Sequence, residues 1–148
     1  MTRDQIITAI KPFFEVKELV CDHTFAKFGE QSWNFLDTAF LETLLIVRRD
    51  IIQKPMWCNG NGKQQRGLRC NRCQMVRAKS SVYLSAHCLG KAGDFTITGM
   101  TAEQARTLIK QKAYMLPYPI RLERNVSWLH LDVRPTLNDT RKVIEFYG

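Results

Sequence analysis

Two histidines and an aspartate in the second half of the chain have the residue types and spacing of a metal site. His87 and Asp94 lie within the stretch from Ser85 to Phe95, and His130 lies in Trp-Leu-His-Leu-Asp at residues 128–132. Two imidazoles and a carboxylate are typical ligands of a catalytic zinc that keeps a fourth position open for water. A structural zinc is usually held by four protein ligands. The chain contains only three histidines, and two of them are in these stretches.

The elements around these residues must turn their side chains to one point. Gly90 and Gly93 lie between the first two ligands and permit a tight connection. In the strand predicted around His130, the side chains of Trp128, His130 and Asp132 share one face because the side-chain period of a strand is two. The leucines between them would then face the core.

The pattern Ser-x-His-x-x-Gly-x-x-x-Asp, followed by a Trp-x-His strand, resembles the zinc D-alanyl-D-alanine peptidases. This group includes bacterial carboxypeptidases, phage endolysins and the hedgehog signalling domain. The likeness covers most of the chain, with its specificity concentrated in residues 85–95 and 128–132. It implies that His87, Asp94 and His130 bind Zn²⁺. It also implies an α+β, hedgehog/DD-peptidase-like fold, with an antiparallel sheet and helices packed on one side.

The resemblance predicts a zinc-dependent peptidase that hydrolyses peptidoglycan stem peptides, as a D-Ala-D-Ala carboxypeptidase or an endolysin-type endopeptidase. Metal-activated water would attack the peptide carbonyl. The alternative is a non-catalytic, zinc-containing binding or virion structural protein with the same fold. A third hypothesis is a nucleic-acid binder that uses the basic residues between Lys63 and Lys79.

Several further residues are expected to contact the substrate. The resemblance implies an arginine upstream of the first ligand that anchors the substrate's terminal carboxylate, because a guanidinium matches a carboxylate with two hydrogen bonds. We assign this role to Arg69, with Arg66 as the alternative. Ser85 is a further substrate-binding candidate. Trp128 is expected either to wall the cleft or to belong to the core, and Asp132 to bind substrate, orient a ligand histidine or be an ordinary surface acid.

The catalytic base is predicted to be Glu123. Family members carry an acid a few residues before the last histidine, and Glu123 is the nearest acid here, seven residues before His130. If Arg124 and Asn125 formed a two-residue hairpin, Glu123 would lie about 13 Å from His130, which is too far for proton transfer. A wider connection, a base role for Asp132, or weak peptidase activity are therefore the alternatives.

Composition sets the broad class of protein. The 148 residues predict one domain with a core of its own, and 45% of them are hydrophobic. No apolar run reaches the roughly 18 residues of a membrane span, and no signal peptide is evident. We therefore expect no membrane partner, a monomer located in the host cytoplasm, and action at the cell wall after release or as a virion component. The net charge of +8 favours an anionic partner, but nucleic acid is less favoured because the basic residues are spread along the chain.

Five cysteines are an odd number, and we expect mostly reduced thiols. Cys58, Cys70 and Cys73 would hold a second, structural zinc if a fourth ligand came from Cys21, Cys88 or His23. Packed, unreactive thiols are the alternative interpretation.

Local patterns predict helices first, then strands and one further helix, which is typical of an α+β domain. Thr101 and Gln104 form a capping box, so a helix should begin at Ala102. Helices are expected over residues 2–10, 33–51, 71–78 and 102–114. Strands are expected over residues 55–58, 81–84, 92–97, 120–123, 126–133 and 142–147.

Overall fold

The first third of the chain is helical in the computed structural model, which describes residues 1–148. The predicted first helix is present, and the hydroxyl of Thr2 caps it by accepting a hydrogen bond from the backbone of Gln5. The helical elements here are α1 (Arg3–Ile10), α2 (Val16–Leu19), α3 (Asp22–Phe28), a 3₁₀ turn (Gly29–Phe35) and α4 (Thr38–Ile46), which continues as one π-helical stretch (Val47–Ile52).

The predicted helix from Trp33 is wrong at its start. Asp37 accepts a hydrogen bond from the backbone N–H of Phe40 at 3.1 Å and caps α4, so the residues before it form the separate 3₁₀ turn. The second carboxylate oxygen of Asp37 accepts a hydrogen bond from Lys91 Nζ at 2.8 Å. One aspartate therefore both begins α4 and ties it to the segment that carries the predicted metal ligands.

The rest of the chain builds a five-stranded sheet, which confirms an α+β fold. Its strands are β1 (Met56–Trp57), β2 (Ala92–Ile97), β3 (Ile120–Arg124), β4 (Leu129–Asp132) and β5 (Val143–Tyr147), in the spatial order β1-β2-β4-β3-β5. The helical elements between the strands are α5 (Gln74–Arg77), α6 (Ala102–Gln111) and a 3₁₀ turn (Ala113–Met115). The capping box of Thr101 and Gln104 is present at the start of α6, as predicted.

The expectation of a wholly antiparallel sheet is wrong for its last strand. β5 pairs with β3 in parallel, with Ile120 opposite Val143, whereas the other three strand pairs are antiparallel. After β4, the chain passes the start of β3 and enters β5 on the far side. A strand that begins there must run in the same direction as β3.

The predicted strand at residues 81–84 is also wrong, because this segment is irregular. Its β-branched and aromatic side chains are typical of strands, but no neighbouring strand pairs with it. Val82 is 88% exposed and Leu84 is 62% exposed. Composition alone therefore gave a false signal where a hydrogen-bonding partner was lacking.

The core lies between the helices and one face of the sheet. Phe95 of β2, Leu129 of β4 and Leu122 of β3 are each at most 1% exposed and pack with the apolar residues of α1 and α4. Since side chains alternate across a strand, the residues between them occupy the opposite face. That face carries the polar residues of the predicted metal site. None of the helices has the length and apolar character that crossing a membrane requires.

Candidate metal centre

Strand pairing brings Asp94 and His130 together. In the antiparallel pair of β2 and β4, Asp94 lies directly opposite His130, between the Gly93–Leu131 and Phe95–Leu129 pairs. Directly opposed residues project from the same face with their Cβ atoms about 5 Å apart. Two residues 36 positions apart in sequence are thus placed side by side on the face that points away from the helices.

A tight turn before β2 supplies His87. Gly90 in this turn has a φ of +67°, and a Cβ on it would lie 2.1 Å from the carbonyl oxygen of Phe35. Only glycine fits this position, because both the backbone conformation and the close approach exclude a side chain. The Gly90 carbonyl accepts a hydrogen bond from the backbone of Asp37 at 2.9 Å. The turn is thus seated on the start of α4 and directs His87 toward β2.

The three side chains converge with the dimensions of a metal site. One possible ligand atom from each of His87, Asp94 and His130 lies within 4.8 Å of the others. The distance from His87 Nε2 to Asp94 Oδ2 is 3.4 Å, and that from His130 Nδ1 to Asp94 Oδ1 is 2.8 Å. Tetrahedral zinc with bonds near 2.0–2.2 Å separates its N and O ligands by about 3.4 Å. His87 and Asp94 already have this separation. His130 and Asp94 are hydrogen-bonded to each other, and their two atoms would have to move apart by about 0.6 Å to bind zinc.

The far side of each imidazole is fixed by another group. His87 Nδ1 lies 3.0 Å from the carbonyl oxygen of Gly67, so that nitrogen carries the proton and Nε2 is left as the donor atom for a metal. His130 Nε2 lies 2.7 Å from Asp132 Oδ2, which leaves Nδ1 to face Asp94. A carboxylate or carbonyl behind each histidine is the usual support of a histidine-ligated metal.

Asp132 is itself held by two further donors. Arg121 donates to both of its oxygens at 2.9 Å, and the backbone N–H of Arg134 donates to Oδ1 at 3.0 Å. The residue is 0% exposed. Because its oxygens are occupied and buried, the arrangement favours an orienting role for Asp132 over the predicted contact with substrate or a role as base.

The charges of this network shift the pKa values of its members. Burial disfavours ionisation of Asp94, but hydrogen bonds to His130 and His87 outweigh it and hold the pKa of this carboxyl well below its usual range. Burial likewise disfavours the charged form of His130, yet Asp132 and Asp94 raise the pKa of the ring to about 9. Without a metal, His130 is therefore an imidazolium at neutral pH, flanked by two carboxylates.

Arg69 and Arg66 differ in their closeness to the ligands. The Arg69 side chain is buried, with Nη2 at 3.7 Å from Asp94 Oδ2 and Nε donating to the carbonyl of Gln65 at 2.7 Å. Arg66 donates to Cys58 and Thr96 instead, at 3.1 Å each. Of the two candidates for a substrate anchor, Arg69 is thus the one beside the predicted metal ligands.

The connection from β3 to β4 is wider than a two-residue hairpin. Arg121 pairs with Asp132 and Leu122 with Leu131, so continuing this register by one residue sets Glu123 opposite His130. Of the alternatives that the sequence left open, the wider connection is therefore the one present, and the 13 Å separation of a two-residue hairpin does not apply. The Glu123 carboxylate lies against Gly148, so close that a Cβ added to this glycine would overlap the carboxylate. Both hydrogen bonds of the His130 ring go to other residues.

Ser85 and Trp128, two predicted substrate-binding residues, lie in different surroundings. The hydroxyl of Ser85 donates to Cys88 Sγ at 3.4 Å within the turn that carries His87. The indole nitrogen of Trp128 is buried and has no hydrogen-bond partner.

Access to the three ligands is narrow. His87, Asp94 and His130 are 5–8% exposed. The ring of Phe146, from β5, packs edge-on against the His130 ring with 5.5 Å between centroids. The guanidinium of Arg121 lies 4.3 Å from the centroid of the Phe146 ring. A cavity of about 480 Å³ has Arg69 in its otherwise mostly apolar wall, but none of the three ligands lines it.

Sequence reasoning missed three supporting residues. Gly67 lies so close to Leu19 that a Cβ would be 2.1 Å from its carbonyl oxygen, and Arg121 and Phe146 come from strands whose register was unknown. Alternation of Arg121 with buried neighbours was the only signal for that residue. Nothing in the sequence indicated the supporting roles of Gly67 and Phe146.

The predicted cysteine set is also incorrect in one member. Cys58 is 0% exposed and lies apart from the other thiols, whereas Cys70 and Cys73 cluster with Cys21 and His23 into a group that has the residue types to bind a metal.

Comparisons with protein-family models, with curated proteins and with solved structures find no match to this chain.

Proposed function

We propose that this protein is a zinc-dependent peptidase that hydrolyses peptidoglycan stem peptides ending in D-Ala-D-Ala, on a hedgehog/DD-peptidase-like fold. The observation that carries the proposal is the convergence of His87, Asp94 and His130 on one face of the sheet, with Arg69 beside them. Three protein ligands leave a coordination position free, which is the arrangement of catalytic rather than structural zinc.

The donor set fits zinc. Two neutral imidazole nitrogens and one carboxylate oxygen are ligands that Zn²⁺ prefers, and the 3.4 Å separation of His87 Nε2 from Asp94 Oδ2 matches its coordination sphere. When bound, zinc would supply a Lewis acid and lower the pKa of water to near neutrality.

The remaining roles belong to the protein's own side chains. Arg69 would bind the terminal carboxylate of the stem peptide through its guanidinium, next to the ligands and at the wall of the cavity. Trp128 would form a wall of the substrate cleft. Glu123, opposite His130 in the extended register, would accept the proton from water after turning away from Gly148.

The experiment is hydrolysis of defined muropeptides by zinc-loaded protein. We expect release of D-alanine, or cleavage of a crosslink, and loss of this activity in Glu123→Gln with zinc retained. Glu145→Gln is the matched control, because Glu145 lies in the neighbouring strand but contacts Lys110 of α6 on the helical side of the sheet. Equal activity in wild type and Glu123→Gln would reject the base, and a fully zinc-loaded protein without turnover would reject the enzyme.

The second candidate is a non-catalytic zinc-containing binding or virion structural protein with the same fold. The low exposure of the three ligands and the Phe146 ring against His130 favour it. Retention of muropeptides on immobilised protein, without any hydrolysis over hours, would distinguish this candidate from the peptidase.

A further inference from the structure

Two pairs of metal-binding residues, far apart in sequence, meet at the surface beyond the predicted catalytic centre. Cys21 and His23 come from the start of α3, and Cys70 and Cys73 flank the turn that leads into α5. The four ligand atoms lie within 4.8 Å of one another. We propose that Cys21, His23, Cys70 and Cys73 bind a second zinc ion, which is structural.

Backbone pairing explains how the two pairs are brought together. Val20 and Leu68 form a parallel bridge, in which Leu68 N–H donates to Leu19 at 2.9 Å and Cys21 N–H donates to Leu68 at 3.0 Å. The bridge lies one residue before Cys21 and two residues before Cys70. It therefore aligns Cys21-x-His23 with Cys70-x-x-Cys73, although His23 and Cys70 are 47 positions apart in the sequence.

The measured separations match a tetrahedral site. His23 Nδ1 lies 3.6 Å from Cys70 Sγ and 3.9 Å from Cys73 Sγ. Zinc bonds of about 2.3 Å to sulfur and about 2.05 Å to nitrogen, at the tetrahedral angle, predict an S···N separation of about 3.6 Å. Metal-bound geometry therefore requires shifts of only a few tenths of an ångström at His23.

The chemistry of the donors selects zinc and a closed site. Three thiolates and an imidazole form a Cys₃His set, which is one of the usual structural zinc sites, and no coordination position is left for water. The backbone N–H of Arg72 donates to Cys70 Sγ at 3.4 Å, and Thr24 Oγ1 lies 3.1 Å from Cys21 Sγ. Such contacts stabilise a thiolate and fix the ligand for a metal.

The local fold gives this zinc a role. Residues 58–91 contain only one four-residue helix, and most side chains from Asn59 to Gln65 and from Asn71 to Ser85 are at least partly exposed, so this segment has little core of its own. Binding free energy at a structural metal site is folding free energy. A zinc ion would attach residues 58–91 to the start of α3. It would also fix the backbone at Cys70, which is the neighbour of Arg69. The second metal would thus hold the proposed substrate anchor in place without touching it.

Metal content and cobalt spectra of the full-length protein test this inference. Wild type should contain two equivalents of zinc, Cys73→Ser and His130→Ala one each, and the double variant none. With Co²⁺ in place of zinc, thiolate ligands give a near-ultraviolet charge-transfer band. This band should persist in His130→Ala and vanish in Cys73→Ser. Failure of the proposed peptidase would leave this band unchanged.

Two further variants keep the test decisive. His23 is exposed, so His23→Ala should fold normally and yet lower the zinc affinity of the cysteine site. Cys88→Ser, which changes a cysteine outside the cluster, should retain both zinc ions and the cobalt band. One equivalent of zinc in wild type without a thiolate band, or loss of the band in Cys88→Ser but not in Cys73→Ser, would overturn the proposal.

Discussion

Asp132 accepts a hydrogen bond from Nε2 of His130 at 2.7 Å and thereby leaves Nδ1 of the same ring directed at Asp94. Arg121 holds the carboxylate from its other side with two contacts of 2.9 Å. The geometry of the predicted zinc site therefore depends on a residue that would not touch the metal.

Asp132→Asn should lower the zinc affinity of the histidine–aspartate site by about 10–100-fold. The amide preserves the shape of the side chain but removes the charge that supports the ring. The measurement is competition for zinc with a chelator of known affinity. Asp139→Asn is the matched control, because Asp139 pairs with Arg141 at the surface, away from the site. Unchanged affinity in Asp132→Asn would contradict the orienting role.

Zinc binding should release a proton from His130. The pKa of about 9 means that the metal-free ring is protonated at neutral pH, and a ring that binds zinc must lose the proton on Nδ1. In the Cys73→Ser background, calorimetric titration in buffers of different ionisation enthalpy should show about one such proton per zinc at mildly acid pH, below the range in which zinc-bound water ionises. The count should fall as the pH passes about 9. A count that does not change across this pH would argue against a charged His130.

Arg69→Lys should weaken peptide binding more than it slows the chemical step. Lysine keeps the charge but cannot present two parallel donors to a carboxylate, so KM for a D-Ala-D-Ala peptide should rise by about tenfold or more, with zinc content unchanged. Steady-state kinetics provide the measurement. Arg72→Lys is the control, since Arg72 is an exposed arginine three residues away. Equal KM values in the two variants would remove Arg69 from substrate binding.

Asp37 should make the stability of the protein depend on acid pH. Burial opposes its ionisation, but the hydrogen bond from Lys91 and those from the backbone of α4 outweigh it and lower the pKa of Asp37. A lowered pKa adds stability that is present above the unfolded-state pKa near 3.9 and is lost as the pH falls through the folded-state value.

Asp37→Ala removes both the cap and the pair with Lys91, so we expect about 1–2 kcal/mol less unfolding free energy at neutral pH and a smaller difference in acid. Asp37→Asn, which retains the cap, should lie between alanine and wild type. Urea unfolding at acid pH and at neutral pH measures the unfolding free energy of both variants. A loss that is equal in acid and at neutral pH would show that the Asp37 charge adds nothing.

The sequence predicted the strand that carries Asp94 and the helix that begins after Thr101, because both have strong local signals. It could not give the order of the strands or the parallel pairing of β5, since these depend on contacts between distant segments. The same reason explains the cysteine cluster. Cys70-x-x-Cys73 was visible as a motif, but its partners Cys21 and His23 are selected by the Val20–Leu68 bridge. The position of Glu123 could not be predicted either, because the sequence did not distinguish a two-residue hairpin from the wider connection that the structure has.

Anomalous diffraction at the zinc edge from crystals of the zinc-loaded protein tests most directly whether His87, Asp94 and His130 bind zinc. A peak should lie about 2.0–2.2 Å from His87 Nε2, a carboxylate oxygen of Asp94 and His130 Nδ1, with Asp132 still bonded to Nε2 of the same ring. Absence of zinc from these three residues, or its binding through Nε2 of His130, would contradict the account.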